Sequence, residues 1–174
     1  MRYFLIEQDE AYVDAPIIIN WFEKLDVRKI KKGLSYEIPY RMSLDVRPDK
    51  EIYFTDIVSK PFFLYTEIVK QAVSIYEPQM PHKQIMLADK KNFLSELYFM
   101  PILEIVDCLS DETILDTDGS IIGIVELNHT KIPDLSIFKL AGISGRSIIV
   151  RLDLIESILR RGAKGICLKE ATIN

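Results

Sequence analysis

The sequence predicts an α+β fold: a single domain whose mostly antiparallel or mixed sheet packs with two amphipathic helices. Three observations carry this. Short runs rich in β-branched and aromatic residues outnumber helical patterns along the 174 residues. Clear helical spacing of apolar residues occurs at two places, about 66–76 and 153–161, far apart in the chain. A doubly wound sheet would instead need regular alternation of strands and helices. The length fits one domain, since domains cluster near ~100–150 residues.

Arg2–Glu7 (RYFLIE) reads as the opening strand and Ala15–Phe22 (APIIINWF) as a second β-prone run. Lys24–Lys32 (KLDVRKIKK) gathers cations. A solvated turn or short helix face explains it, with a phosphate or nucleic-acid contact as the sharper alternative. Gly33 and Pro39 punctuate the chain around a strand within Tyr36–Val46, and Arg47–Lys50 (RPDK) has turn chemistry. Pro61–Leu64 (PFFL) leads into the first helix. Its stripe is Ile68, Val69, Ala72, Val73 and Tyr76, with Thr66 as N-cap and Pro78 as stop.

Lys83–Ala88 and Leu97–Leu109 follow as strands, and Pro101 argues for an edge or a bulge in the second. Asp116–Gly119 (DTDG) reads as a hairpin turn before the β-prone run Ile121–Leu127. Ile137–Leu140 is a further strand. Ser147–Val150 then leads into the second helix, with the stripe Leu154, Ile155, Ile158 and Leu159. Asp153 and Glu156 have capping-box-like spacing; Arg160 and Arg161 suit the negative end of the helix dipole; Gly162 suits the left-handed position after it. Both helical units read strand, acid, helix.

Composition narrows the class of function. A hydrophobic content of 48% with 28% charged residues is that of a folded globular chain. The net charge of −4 disfavours nucleic acid and anionic membranes, which attract basic surfaces, and permits a basic partner. The start MRYFLIEQDE meets charge too early for a signal-peptide core, and no apolar run approaches the ~20 residues of a membrane span. A cytoplasmic protein is the expectation. Cys108 and Cys167, in the apolar settings IVDCL and GICLK, read as buried thiols acting as small hydrophobes.

The motifs of catalysis and metal binding do not assemble. Counted from Asp116, a calcium loop would need glycine at position six and glutamate at twelve; Ile121 and Leu127 stand there. His82, His129, Cys108 and Cys167 include no closely spaced ligand pair for zinc. In Gly142-Ile143-Ser144-Gly145 the second glycine directly follows the serine, out of register for a nucleophile elbow. Phosphate loops of the GxxxxGK[ST] and GxGxxG types are absent. No catalytic residue, cofactor or metal ligand is therefore assigned, and no enzyme is expected.

Acidic residues cluster twice: Glu7, Asp9, Glu10 and Asp14 near the start, and Asp107, Asp111, Glu112, Asp116 and Asp118 around the middle turn, with no cation among them. A solvated loop explains both. The functional alternative is a face complementary to a basic partner, with Asp111, Glu112, Asp116 and Asp118 as the candidate partner-binding residues.

From Asp56 to Glu170 the chain resembles a family of bacterial immunity proteins of polymorphic toxin systems, long catalogued as a domain of unknown function. The resemblance rests on Asp56–Ser59, Phe62–Leu64 and the helix from Glu67. It continues through YFMPILEIVDCL, Ile137–Leu140, Ile148–Val150, Asp153–Arg161, and Gly162 and Gly165 leading into Ile166–Leu168. Residues 1–55 have no counterpart in it. The resemblance implies a binder that occupies a cognate toxin, and no site residue carries over. A small enzyme with an unrecognised site, or a structural or regulatory domain of a phage or secretion assembly, are the alternatives.

Overall fold

The computed structural model describes residues 1–144 and 147–174 and is an α+β domain built on two mixed sheets. In chain order the elements are β1 (Tyr3–Gln8), β2 (Ile18–Ile19), β3 (Arg41–Val46), β4 (Ile57–Val58), β5 (Leu64–Tyr65), α1 (Glu67–Tyr76) and β6 (His82–Asp89). Then come β7 (Leu94–Pro101), β8 (Ile105–Val106), β9 (Glu126–Leu127), β10 (Ile137–Leu140), β11 (Ile148–Arg151), α2 (Leu152–Arg160) and β12 (Ile166–Ile173). One sheet runs β8-β10-β11-β1-β12-β9 and the other β2-β3-β6-β7-β5-β4. Most pairs are antiparallel; β3 with β6, β10 with β8 and β12 with β9 are parallel. All four sheet edges are two-residue strands, which leaves little backbone to template a foreign strand. Residues 1–55 serve both sheets: β1 lies between β11 and β12, while β2 and β3 belong to the other sheet.

Each sheet feeds one helix. β5 enters α1 and β11 enters α2, and both helices share a core with side chains from both sheets, among them Ile6, Tyr65, Phe99 and Val150. Tyr76 seals the helix pair by donating its hydroxyl to the Asp153 carbonyl at 3.1 Å. Two further cores lie on the other faces. Residues 18–38 pack against β3, β6 and β7 through Leu25 and Ile38; residues 108–135 pack against the β1–β11 sheet through Cys108, Val125 and Leu127.

Several boundaries differ from the sequence reading, each for a local reason. The run Ala15–Phe22 yields only β2, because Asn20 turns left-handed (φ 52°) and a 3-10 turn follows at Trp21–Glu23. Tyr36 lies in another 3-10 turn, so that strand begins only at Arg41. Leu97–Leu109 is not one strand: β7 ends at Pro101, and β8 joins the other sheet. β7 is an interior strand, not an edge; Pro101 is tolerated as its last residue, opposite His82. Ile121–Leu127 forms a strand only at Glu126–Leu127, with an isolated bridge at Ile121 and Gly123 at φ 81° inside the run.

The helix stripes are narrower than the periodicity predicts. Ile68 and Leu159 are exposed, whereas Val69, Ala72, Val73, Leu154, Ile155 and Ile158 are buried. Thr66 holds the N-cap position of α1, but its hydroxyl donates to Asp56 Oδ1 (2.5 Å) and caps no helix N–H. The capping box of α2 is not formed. The helix starts at Leu152, one residue early, so Asp153 bonds Arg151 and Glu156 pairs with Arg160. Gly162 is left-handed (φ 80°) just past α2, as its position predicts.

Gly165 is required by geometry. Its φ is +77°, and a Cβ there would stand 2.5 Å from Thr55 Cγ2. Gly165→Ala therefore combines a left-handed alanine (~1–2 kcal/mol) with overpacking (~1–3 kcal/mol). Chemical denaturation will show a loss of about that combined size. Ile158→Ala, which empties a fully buried site in the central core, will cost about 2–5 kcal/mol in the same assay.

Candidate functional site

The excursion between β8 and β9 carries all four acidic residues singled out in the sequence. Its inner side is apolar: Cys108, Leu109 and Ile121 join the core on the outer face of the β1–β11 sheet. Its ends are stitched together. Ser110 N–H donates to the Glu126 carbonyl and Asn128 N–H to the Cys108 carbonyl, both at 2.8 Å. The Thr113 hydroxyl donates to the Glu126 carbonyl (3.0 Å) and accepts from Glu126 N–H (3.1 Å).

The expected turn forms at Asp116–Gly119. Gly119 N–H donates to the Asp116 carbonyl (2.9 Å), Asp116 N–H to the Ser120 carbonyl (2.8 Å), and Gly119 is left-handed. An antiparallel bridge joins Leu115 to Ile121, and Ile122 N–H donates to the Ile114 carbonyl at 2.9 Å. Asp118 accepts from the Ser120 hydroxyl and N–H, which holds its carboxyl below the usual carboxylate range. Asp111 and Glu112 lie nearer the base. There the Asn174 side-chain amide donates to Glu112 Oε2 (3.1 Å) and Glu126 Oε2 (2.9 Å), drawing two carboxylates to one donor. The structure thus makes two acidic groups on one excursion: Asp116 with Asp118 at the tip, and Glu112 beside Glu126 at the base. All four candidate residues are exposed.

What sequence reasoning missed is the apolar half of this surface. Ile114 and Ile124 are 64% and 61% exposed, and Leu115 and Ile122 are also exposed. Their apolar character, β-branched in the three isoleucines, predicts burial in a strand, yet the excursion supplies no sheet to receive them. Between Lys91 and Lys131 the chain holds no lysine or arginine, so the charges nearest to these side chains in sequence are carboxylates. A different exposed aromatic, Phe93, occupies the β6–β7 turn with φ 57°, next to Lys90 and Lys91.

The remaining candidates are accounted for locally. Glu7 is buried in β1, with Lys169 Nζ 3.3 Å from its carboxylate, and is not part of a solvated acidic loop. The basic run Lys24–Lys32 is largely consumed: Arg28 binds Asp26, Lys29 binds Glu37, Lys32 binds Glu104, and Lys24 Nζ donates to the Ser43 carbonyl. Cys108 is fully buried, and burial pushes its thiol up to about 11, away from thiolate chemistry. Cys167 is only half-buried, contrary to the sequence reading. His129 sits in a 3-10 turn. Of Gly142–Gly145, Gly145 lies outside the described residues. Among the described residues, no three His, Cys, Asp or Glu side chains group to hold a metal, and no helix is long and apolar enough to cross a membrane.

With this geometry in view, the class that fold and surface define is an α+β domain bearing a cation-free acidic and apolar excursion. The chain matches no protein-family model and no curated protein.

His82 makes a separate polar contact at the helix end of the second sheet. Its Nε2 is 2.6 Å from the Tyr65 hydroxyl, and its ring packs edge-on to Tyr65 and Phe99. Burial first, then the Lys70 charge, lowers its pKa from 6.5 to about 4. The unfolded imidazole therefore binds a proton near pH 6.5 and the folded one only near pH 4. The associated stability is fully present above 6.5 and is lost as pH falls through that window. Thermal unfolding followed from pH 7 to pH 4 will show declining stability, and His82→Gln will flatten the slope between 6.5 and 4.

Proposed function

We propose that this chain is an immunity-type binding protein that neutralises a cognate bacterial toxin by occupying it. The observation that carries the reading is the 107–125 excursion, where exposed Ile114, Leu115, Ile122 and Ile124 stand among Asp111, Glu112, Asp116 and Asp118 without a nearby cation in sequence. Apolar side chains ringed by charge are the anatomy of a recognition surface: the apolar part gives residence time and the charged rim gives selectivity and speed. An inhibitor by occupancy must arrive before damage is done. Unbalanced carboxylates on an exposed turn steer a basic partner and raise association rates by one or more orders of magnitude at low salt. The resemblance over residues 56–170 supports the same class, and the inert Cys108 thiol adds no chemistry that competes with it.

The test is stopped-flow association with the product of the neighbouring gene at low and moderate salt. Asp111→Asn, Glu112→Gln, Asp116→Asn and Asp118→Asn together keep the acceptor oxygens of the turn while removing four charges. The expected result is association slowed about tenfold or more at low salt, with a shallower salt dependence and an unchanged melt. Ile114→Ser with Ile124→Ser will instead speed dissociation about tenfold. Unchanged rates in both variants remove the excursion from the interface, and no binding to any neighbouring product overturns the reading.

A further inference from the structure

Away from the acidic excursion, a cavity of about 350 Å³ opens at the seam of the two sheets. One wall comes from the first sheet, through Ile6, Lys139 and Ile148; the facing wall includes Phe62 and Leu103. Strand alternation explains how a lysine enters this seam. Phe138 and Leu140 fill the outer core, Ile137 the central core, and Lys139 between them shares the face of Ile137. Lys139 is half-buried, and among the described residues its ammonium makes no hydrogen bond or ion pair. Arg28 also lines the cavity, but it is neutralised by Asp26 through a two-point contact, Nε to Oδ1 at 2.9 Å and Nη2 to Oδ2 at 2.8 Å. Among the described residues, Lys139 therefore presents an unpaired ammonium to a space whose lining is about half polar, with Ile6, Phe62, Leu103 and Ile148 among its apolar part.

The space continues. Ser59 and Pro61 also bound a second cavity of about 400 Å³, walled by Ile17, Ile18 and Trp21. Ser59 Oγ accepts from Gln8 N–H at 2.7 Å, which leaves its hydroxyl proton to donate at the junction of the two spaces. Concave, mostly apolar sites with a few placed polar groups are the usual form of small-molecule pockets.

We propose that this seam binds an aliphatic monocarboxylate, its head group on Lys139 and its tail running past Ser59 and Pro61 to Trp21. The Lys139 ammonium selects an anionic head group over a neutral or cationic one. The second cavity, which Glu10 and Lys60 also line, is mostly apolar and selects a hydrocarbon tail over a sugar or nucleotide. Because one wall belongs to the first sheet and the other to Pro101 of β7 and the loops beside it, the ligand would bridge them and raise the melting temperature as its concentration exceeds Kd.

Trp21 is the one tryptophan of the chain, so its emission reports arrival of the tail. The full-length chain is titrated with decanoate below its micellar concentration, with butyrate, decanol and decylamine alongside. Tryptophan fluorescence and ligand-observed saturation-transfer NMR provide the readouts. The expected result is that decanoate shifts Trp21 emission and raises the melt, while butyrate leaves the emission unmoved. Decanol and decylamine will bind at least about tenfold more weakly, Lys139→Met will weaken decanoate by about tenfold or more, and Lys139→Arg will retain binding. No decanoate binding, equal binding of decanol and decanoate, or undiminished binding by Lys139→Met overturns the inference. Should Lys139→Met fail to fold, the comparison of decanoate with decanol on the parent protein decides alone. The outcome is separable from the toxin-binding reading: Lys139→Met leaves association at the acidic excursion unchanged, and the four-residue neutralisation leaves decanoate binding unchanged.

Discussion

Asp56 and its neighbour Thr55 hold the two sheets in register. Asp56 N–H donates to the Lys164 carbonyl at 2.9 Å, and Asp56 Oδ2 accepts from Lys164 N–H at 2.7 Å. Its other oxygen takes the Thr66 hydroxyl, and its carbonyl takes Thr66 N–H at 3.1 Å. One residue thus joins the start of α1, which belongs with the second sheet, to the turn that leads from α2 into β12 of the first. Thr55 adds the steric half of the joint. It is fully buried, bonds the Ile57 carbonyl, accepts from Tyr98 through its own carbonyl, and rests against Gly165 where no side chain fits. Hydrogen bonds to a carboxylate are worth ~1.5–3 kcal/mol each, more than neutral ones. With this joint in place, α1 and α2 share their core and the seam beside Lys139 has two walls.

The surfaces follow from the same layout. Both helices and both sheets share the central core, so the faces turned away from it need covers. Two largely irregular excursions supply them, residues 18–38 on one sheet and 108–135 on the other. A cover made of turns can bury only part of its apolar content, because its backbone groups must also find partners. In the second cover, Cys108, Val125 and Leu127 go inward while Ile114 and Ile124 stay out, beside carboxylates that no lysine or arginine between residues 92 and 130 offsets. The proposed binding face is thus the outer side of a structural cover. A partner that closed over it would bury the apolar residues that the fold leaves in solvent.

The first cover behaves differently. Its cations are held in local pairs, Arg28 with Asp26 and Lys29 with Glu37, so it presents little net field despite its basic sequence. Arg28 nonetheless lines the first cavity, and its pairing with Asp26 leaves Lys139, among the described residues, as the lining cation there without an ion pair. A basic run and a single buried-strand lysine would be ranked in the opposite order by sequence alone.

By itself the sequence determined the local elements whose signals are short-range. The α+β class, both helices, the turn at Asp116–Gly119 and the left-handed Gly162 all rest on periodicity or on the φ preference of single residues. It also located the acidic segment, because charge is legible without a fold. Tertiary structure alone decided the rest. It placed β1 between β11 and β12, made β7 an interior strand ending at Pro101, turned Thr66 from a helix cap into a ligand of Asp56, and left Ile68, Leu159, Ile114 and Ile124 in solvent. The physical reason is that burial, pairing and charge compensation belong to contacts between residues far apart in sequence. Lys139 and Arg28 are both cations in the sequence; only the fold gives one of them a partner and leaves the other facing a cavity.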